Sequence, residues 1–481
     1  MFSEKRLRAV ILAVAMALPA GIYVIGDAVD AFPGIITIHD SSAEPPRNPP
    51  ASGEDRAAQT AAALPPAEST SPAPADGDAM LRAMTSAADL DAIGAASSFT
   101  VVDAETGEVI AQQDGTAARV PASTLKLLTA IAVAREVPLD ERLTTQTQLN
   151  GSQLFLVGGG DMMLTVDGTP KVPDQDLPRA SLADLADATA ADLKQRGVTE
   201  VTLHLDDSLF GQDPINPAWG ENGPDGGWVA PISAIGLDGG NTTTNPYGAK
   251  SADPGMDAAT VFAQQLTDRG ITVTAAPARA TAPDGAEPIA RVQSAPIEDL
   301  IRHTLVASDN TTAEVLARLL AVRTGKPGTV TGGREAVLAG VTAAASDGGF
   351  SISGLRLADV SGLSTDNRVP PELFAHLAAW AATDGPEDVR TVFALVPVGG
   401  FNGTLIDRFQ NGPSTQARGL VRGKTGYLSG TSSLAGITTL PNGRVIGFTI
   451  VVHGFESKDG NAAKDAVDAI AAAMIAGDPA S

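Results

Sequence analysis

The stretch that most constrains the fold lies near the C-terminus. Leu420-Val-Arg-Gly-Lys-Thr-Gly-Tyr-Leu428 leads into the β-rich run Ser432-Ser-Leu-Ala-Gly-Ile-Thr-Thr-Leu440. Pro441-Asn-Gly443 supplies a turn, and Val445-Ile-Gly-Phe-Thr-Ile-Val-Val452 returns as a buried strand. An alanine-rich helix over 461–475 then covers one face of the sheet. Strand, turn, strand and terminal helix form one supersecondary unit.

The rest of the chain alternates between the two kinds of element. Phe99–Ile110 reads as a hairpin turning at Glu105-Thr-Gly107. A helix with Leu127, Leu128, Ala130, Ile131, Ala132 and Val133 buried on most sides follows Ser123. Helices are also predicted over 182–196, 258–269, 300–322 and 372–382, and strands at 201–205 and 271–274. Gly158-Gly-Gly160 matches neither a phosphate-binding loop nor a dinucleotide fingerprint and reads as a tight turn. Asp206-Asp207 suits an acidic strand end in solvent better than a cation site. Trp219 and Trp228 either line a groove or anchor a glycine-rich loop, and anchoring is favoured.

Composition removes whole classes of function. The chain has 481 residues, enough for more than one domain, and 50 Gly and 33 Pro to fill loops and a linker. Its 33 basic and 56 acidic side chains leave a formal charge of -23, with no basic stripe for nucleic acid. Without cysteine there are no disulfides, thiolate chemistry, Cys-held metals or lipidated Cys anchor. Lys5, Arg6 and Arg8 precede an 18-residue apolar run, Ala9–Gly26. Residues 1–30 therefore read as a signal peptide or an N-terminal membrane anchor, and both readings stay open. Either one puts the remainder outside the cytoplasm. Residues 31–78 are rich in Pro, Ala and Ser, too poor in large apolar groups to repay ordering, and read as a disordered spacer.

The chemistry starts at Pro121-Ala-Ser-Thr-Leu-Lys126. Positions i and i+3 share a helix face, so Ser123 has the Lys126 amine beside it. Near a helix N-terminus, free backbone N–H groups favour developing negative charge. A neutral lysine amine would accept the serine proton, provided burial and nearby positive charge lower its pKa. Ser308-Asp-Asn310 and Lys424-Thr-Gly426 follow in that order, and the three motifs together match the signature of penicillin-binding proteins and serine β-lactamases.

On these motifs the chain resembles the penicillin-binding proteins of the D-Ala-D-Ala carboxypeptidase/endopeptidase type, peptidase family S13. Val101-Val-Asp103, Thr106-Gly107, Gly158–Asp161, Asp359-Val-Ser-Gly-Leu-Ser364 and Gly403-Thr-Leu405 add to the likeness, which spans about 81–473. The resemblance implies an α/β (α+β) fold of the penicillin-binding/serine β-lactamase-like transpeptidase type, discontinuous in sequence. Its pieces would be 79–147 and 291–481, interrupted by an inserted accessory α/β domain, or two, at 148–290. An antiparallel sheet would lie between an all-helical part and the helices of the sheet-bearing part.

It also implies a serine D-Ala-D-Ala carboxypeptidase acting on peptidoglycan stem peptides, extended by DD-endopeptidase action on cross-links, with β-lactams acylating Ser123 as substrate mimics. Neither cofactor nor metal is expected. In this scheme Ser123 attacks, Lys126 is the base, and Ser308 relays a proton. Asn310 holds Lys126 or the substrate amide, and Lys424 supplies positive potential. Thr425 binds the terminal carboxylate, Gly426 lets the strand approach the substrate, and the amides of Ser123 and Tyr427 form an oxyanion hole. Tyr427 departs from the small hydroxyl residue commoner at its position and is expected to narrow the pocket. Arg422 is read as a carboxylate attractor or a solvated strand residue, and Asp309 as structural. Two alternatives stand beside this reading: a serine β-lactamase, and a noncatalytic cell-wall-binding protein.

Overall fold

The computed structural model describes residues 76–172, 177–211 and 213–477. The N-terminal segment and most of the spacer lie outside the described residues. Among the described residues, no helix is long and apolar enough to cross a membrane.

Asp76 opens the described chain by capping the helix Gly77–Thr85, its carboxylate accepting from Ala79 N. The central sheet then joins the two ends of the sequence. Strands β1 (Ala96–Asp103) and β2 (Val109–Gln113) form the expected hairpin, with Gly107 at positive φ in the turn. From the other end come β11 (Arg422–Leu428), β12 (Thr431–Thr439) and β13 (Val445–His453), in the sheet order β11-β12-β13-β1-β2. Every pairing is antiparallel, and β1 runs against β13 from Ala96 opposite His453 to Asp103 opposite Ile446.

The sheet is covered on both faces, which is why β13 is apolar without alternation. Helices Gly77–Thr85 and Gly460–Ala476 pack Met80, Met84, Val467, Ile470 and Met474 against Phe99, Phe448 and Ile450 on one face. The other face receives helix Pro371–Thr383, whose Ala375 and Ala379 meet Val102. Gly447 makes this seat: a Cβ there would lie 2.3 Å from Ala375 O. Beyond it lies the all-helical part. Helices Lys126–Glu136, Ile297–Val306, Asn310–Arg323, Val330–Gly348 and Glu387–Ala394 share its core.

Between these pieces, a second sheet holds β3 (Arg142–Asn150), β4 (Gln153–Val157), β6 (Glu200–Asp206), β8 (Thr272–Val273), β9 (Ala278–Arg279) and β10 (Glu287–Pro296). Its order is β10-β3-β4-β6-β8, with β9 also on β6. Strands β3 and β10 pair antiparallel, so the chain leaves and re-enters the helical part side by side. Helices Leu182–Gln195 and Pro254–Asp268 give this unit its own apolar core. A parallel pair, β5 (Asp161–Leu164) and β7 (Ile235–Leu237), lies beside it. Asp206 ends its strand by accepting from Ser208 and from Ala282 N, and Asp207 pairs with Arg279.

Candidate active site

Three separate parts of the fold converge on the Pro121–Lys126 turn. Ala122–Leu125 is a 3-10 turn that runs directly into helix Lys126–Glu136. Ala122 is held at φ +49, an uncommon conformation for a side chain-bearing residue. Its neighbours over-determine it. Thr124 and Ser433 both donate to Pro121 O, at 2.6 and 2.7 Å. Gly426 and Gly362 press in from opposite loops: a Cβ on Gly426 would lie 3.0 Å from Ser123 N, and one on Gly362 2.0 Å from Ala122 O. The absent side chain at Gly426 thus admits the backbone of the Ser123 turn, a closer reason for glycine than substrate approach.

Lys126 is fully buried, and its amine has three partners. Nζ lies 2.9 Å from Ser123 Oγ, 2.6 Å from Asn310 Oδ1 and 2.6 Å from the Ser361 carbonyl. The last two can only accept. A neutral amine spends its two hydrogens on them and leaves its lone pair toward the serine hydroxyl. In its neutral form this amine is placed to accept the serine proton. Burial lowers its pKa to about 8, against the opposing pull of Asp359, Asp309 and Glu314. Asn310, the first residue of its helix, is oriented by its second group: Nδ2 donates to Trp228 O at 2.8 Å.

Lys424 is also fully buried, and Nζ donates to Thr425 O at 2.9 Å. Its pKa falls well below the ordinary lysine value, first through burial and then through the positive charge of Lys126. At Lys126 itself, burial rather than Lys424 is the leading cause. Ser308 sits at φ +59, half-buried, and its hydroxyl bonds to neither lysine. Asp309 caps the following helix through Thr312 N, the structural part expected of it.

Strand β11 is an edge strand, and its alternation determines what it offers. Gly423 N donates to Pro397 O on the open side, away from β12. Amides two and four residues on point the same way, so Thr425 and Tyr427 present their N–H groups at the free edge. Thr425 Oγ1 donates to Thr404 Oγ1 at 2.7 Å. The Tyr427 ring leans on the terminal helix, with Lys464 Nζ 4.4 Å from its centroid and Phe455 stacked beside it. Arg422 is exposed at the start of the strand.

The structure therefore groups Ser123, Lys126 and Asn310 by direct contact, and Gly426 packs against the Ser123 backbone. Lys424 lies close enough to Lys126 for the charge of that lysine to help lower its own pKa. Sequence reasoning missed the carbonyls of Ser361 and Trp228 and the hydroxyl of Thr404. Trp219 is the anchor favoured for these two tryptophans. Trp219 is buried and bonds Glu314, whereas Trp228 is 45% exposed with its ring tilted against that of Tyr247.

A serine and a buried lysine on one turn, an edge strand with Lys-Thr-Gly, and an all-helical part against an antiparallel sheet define a penicillin-binding/β-lactamase-like serine acyl-transferase. The chain belongs to the D-Ala-D-Ala carboxypeptidase 3 (S13) family, whose sequence profile matches residues 81–248 and 241–474. It is a serine D-Ala-D-Ala carboxypeptidase acting on peptidoglycan through an acyl-enzyme. It is 34% identical over 380 residues to carboxypeptidase DacB of Mycolicibacterium smegmatis, covering 78% of this chain and 79% of that one. A carboxypeptidase of Mycobacterium tuberculosis is also 34% identical over 380 residues, covering 77% and 78%. Among solved structures, penicillin binding protein 4 of Haemophilus influenzae superposes with a TM-score of 0.63 at 20% identity, covering 82% of this chain and 97% of that one.

Proposed function

We propose that Ser123 is the acylated residue and Lys126 the base that activates it. The observation that carries this is the Lys126 amine, whose two obligate acceptors leave its lone pair directed at a hydroxyl 2.9 Å away. Ser123 Oγ attacks the carbonyl of the penultimate D-Ala while its proton passes to Lys126 Nζ. The C–N bond to the terminal D-Ala then breaks. Ser308 relays a proton to the leaving nitrogen, a step that requires its hydroxyl to turn toward the lysines once substrate is bound. Water hydrolyses the ester and restores Ser123. Asn310 holds Lys126, and the amides of Ser123 and Tyr427 stabilise the oxyanion.

The stem peptide lies along the open edge of β11 as an added strand, a recognition mode that uses the free amides of that edge. Thr425 binds its terminal carboxylate, Lys424 supplies positive potential behind it when protonated, and Gly426 keeps strand and Ser123 turn in contact. Tyr427 acts through its amide, its ring being occupied by Lys464 and Phe455. Peptide bonds to the D-Ala of a neighbouring stem present the same carbonyl, so DD-endopeptidase action is part of this proposal. β-Lactams acylate Ser123 in the same way. We assign 79–147 and 291–481 to the transpeptidase-like domain and 148–290 to an accessory insert; the paired strands β3 and β10 of the second sheet cross both boundaries and join the two.

The chain acts outside the cytoplasm, where peptidoglycan lies. The charged and apolar residues of 1–30 export it, and fractionation of cells with N-terminal sequencing of the product distinguishes cleavage from retention in the membrane. The reaction itself is tested by mass spectrometry with a D-Ala-D-Ala stem peptide and, separately, with penicillin. The expected results are D-Ala release and a persistent penicillin adduct on Ser123, both lost in Ser123→Ala. Rapid turnover of penicillin would mark a β-lactamase instead, and folded protein giving neither product would mark a noncatalytic wall-binding protein.

A further inference from the structure

Behind Lys126 lies a buried carboxyl group that no step above uses. Glu314 is four residues beyond Asn310, on the same face of helix Asn310–Arg323, and is 4% exposed. Its Oε1 accepts from Ser361 Oγ at 2.7 Å, Val360 N at 3.3 Å and Trp219 Nε1 at 3.4 Å. Ser361 is the residue whose carbonyl takes the Lys126 amine. Gly362, next in the chain, is at φ +87 with its missing Cβ directed at Ala122 O. The 359–364 loop therefore touches both halves of the nucleophile–base pair.

Thr129, on helix Lys126–Glu136, donates to Val360 O at 2.6 Å, and further contacts of this loop come from its own ends and from the insert. Asp359 accepts from Gly362 N, Ser364 N and Asn367 Nδ2 at 2.6–2.9 Å. Asn216 Nδ2 donates to Ala358 O and Asn222 Nδ2 to Leu363 O, both at 2.9 Å. Trp219, between these two asparagines, reaches Glu314. The carboxyl group is where insert, helix and loop meet.

We propose that Glu314 is a positioning residue for acylation: it clamps the 359–364 loop, and through that loop fixes the Lys126 amine and the turn bearing Ser123. The ionisable groups facing it are Asp359 from the loop, Lys126 from the nucleophile helix and Arg318 from its own helix. Arg318 is engaged by Asp213. Burial first, and the charge of Asp359 second, raise Glu314 to about 7. Ionised Glu314 attracts a proton to Lys126, so removing that charge lowers the lysine pKa.

The proposal rests on Ser123 and Lys126 being the acylating pair, and its test separates the two. The readout is the second-order rate of penicillin acylation from pH 5.5 to 10 for the full chain, beside thermal unfolding. Glu314→Gln keeps an acceptor and loses the charge. Its plateau rate should stay within about threefold of wild type, while the acid limb moves down by roughly 0.5–1 pH unit. Glu314→Ala and Ser361→Ala should each lower the plateau about ten- to a hundredfold, and the double variant no further, because both break one linkage. If Glu314→Ala does not fold, Glu314→Gln and Ser361→Ala carry the test. A folded Glu314→Ala with wild-type rate and limb, a Glu314→Gln limb that does not move, or additive losses would each overturn it. Failure of the acylation reading would look different: wild type itself would take no penicillin.

Discussion

Replacing Asn310 by Asp puts a carboxylate where the amide oxygen now sits, 2.6 Å from the Lys126 amine, with little change of shape. With a Lys126 pKa of about 8, roughly one amine in ten is neutral at pH 7. An opposite charge this close raises a pKa by about 1–3 units. At pH 7 the neutral fraction then drops a further ten- to a thousandfold, roughly, and acylation drops with it. A second, pH-independent loss comes from the Nδ2 bond to Trp228 O, worth about 1 kcal/mol, or roughly fivefold if the amine shifts as a result. The assay is the second-order rate of labelling by a fluorescent penicillin between pH 6 and 10.5. The acid limb should move to higher pH by about one unit or more, and the deficit should shrink as pH rises toward the fivefold residue. A deficit that stays constant across this range would refute a rate controlled by the charge on Lys126. Wild-type labelling at every pH would refute Asn310 as its holder.

Lys126 also makes a stability prediction. Its folded pKa, about 8, lies below the ordinary 10.5, so between these values the unfolded chain binds more protons and stability rises with pH. The penalty is complete below about 8, reaches roughly 3 kcal/mol, and is relieved on approaching 10.5. The stability difference between wild type and Lys126→Met, measured by urea unfolding at pH 7.5 and 9.5, should therefore narrow or reverse in favour of wild type at the higher pH. A difference independent of pH would refute the lowered value. Gly426→Ala places a methyl group 2.3 Å from Ser433 Oγ, 2.7 Å from Pro121 O and 3.0 Å from Ser123 N. It should cost about 1–3 kcal/mol of stability and at least about a hundredfold in acylation, read by thermal unfolding and penicillin labelling. Wild-type labelling would mean that strand and turn separate without consequence.

Much of the site was legible along the chain because part of it is local. Ser123 and Lys126 are three residues apart, and helical spacing alone brings amine and hydroxyl together. The Asp309 cap and the Gly107 turn are local in the same sense. The C-terminal strands also announced themselves, since β13 is apolar on both faces and Pro441-Asn-Gly443 turns the chain. Ser308-Asp-Asn310 and Lys424-Thr-Gly426 were found as motifs, but nothing in their spacing says that Asn310 reaches Lys126 or that Gly426 yields space to Ser123 N.

What the tertiary structure alone decided is non-local. Burial lowers the Lys126 pKa, and its amine meets Asn310 of helix 310–323 and Ser361 of the 359–364 loop, two segments far apart in the chain. The Ser361 carbonyl that takes the Lys126 amine is a group every residue has, so that contact leaves no mark in the sequence. Glu314 reads in sequence as an ordinary helix glutamate, and only the meeting of Trp219, Val360 and Ser361 on one oxygen makes it more. The sequence by itself determined which atoms are proposed to react and their order along the chain. The fold determined their protonation and alignment, because desolvation and hydrogen bonding depend on which distant segments pack together.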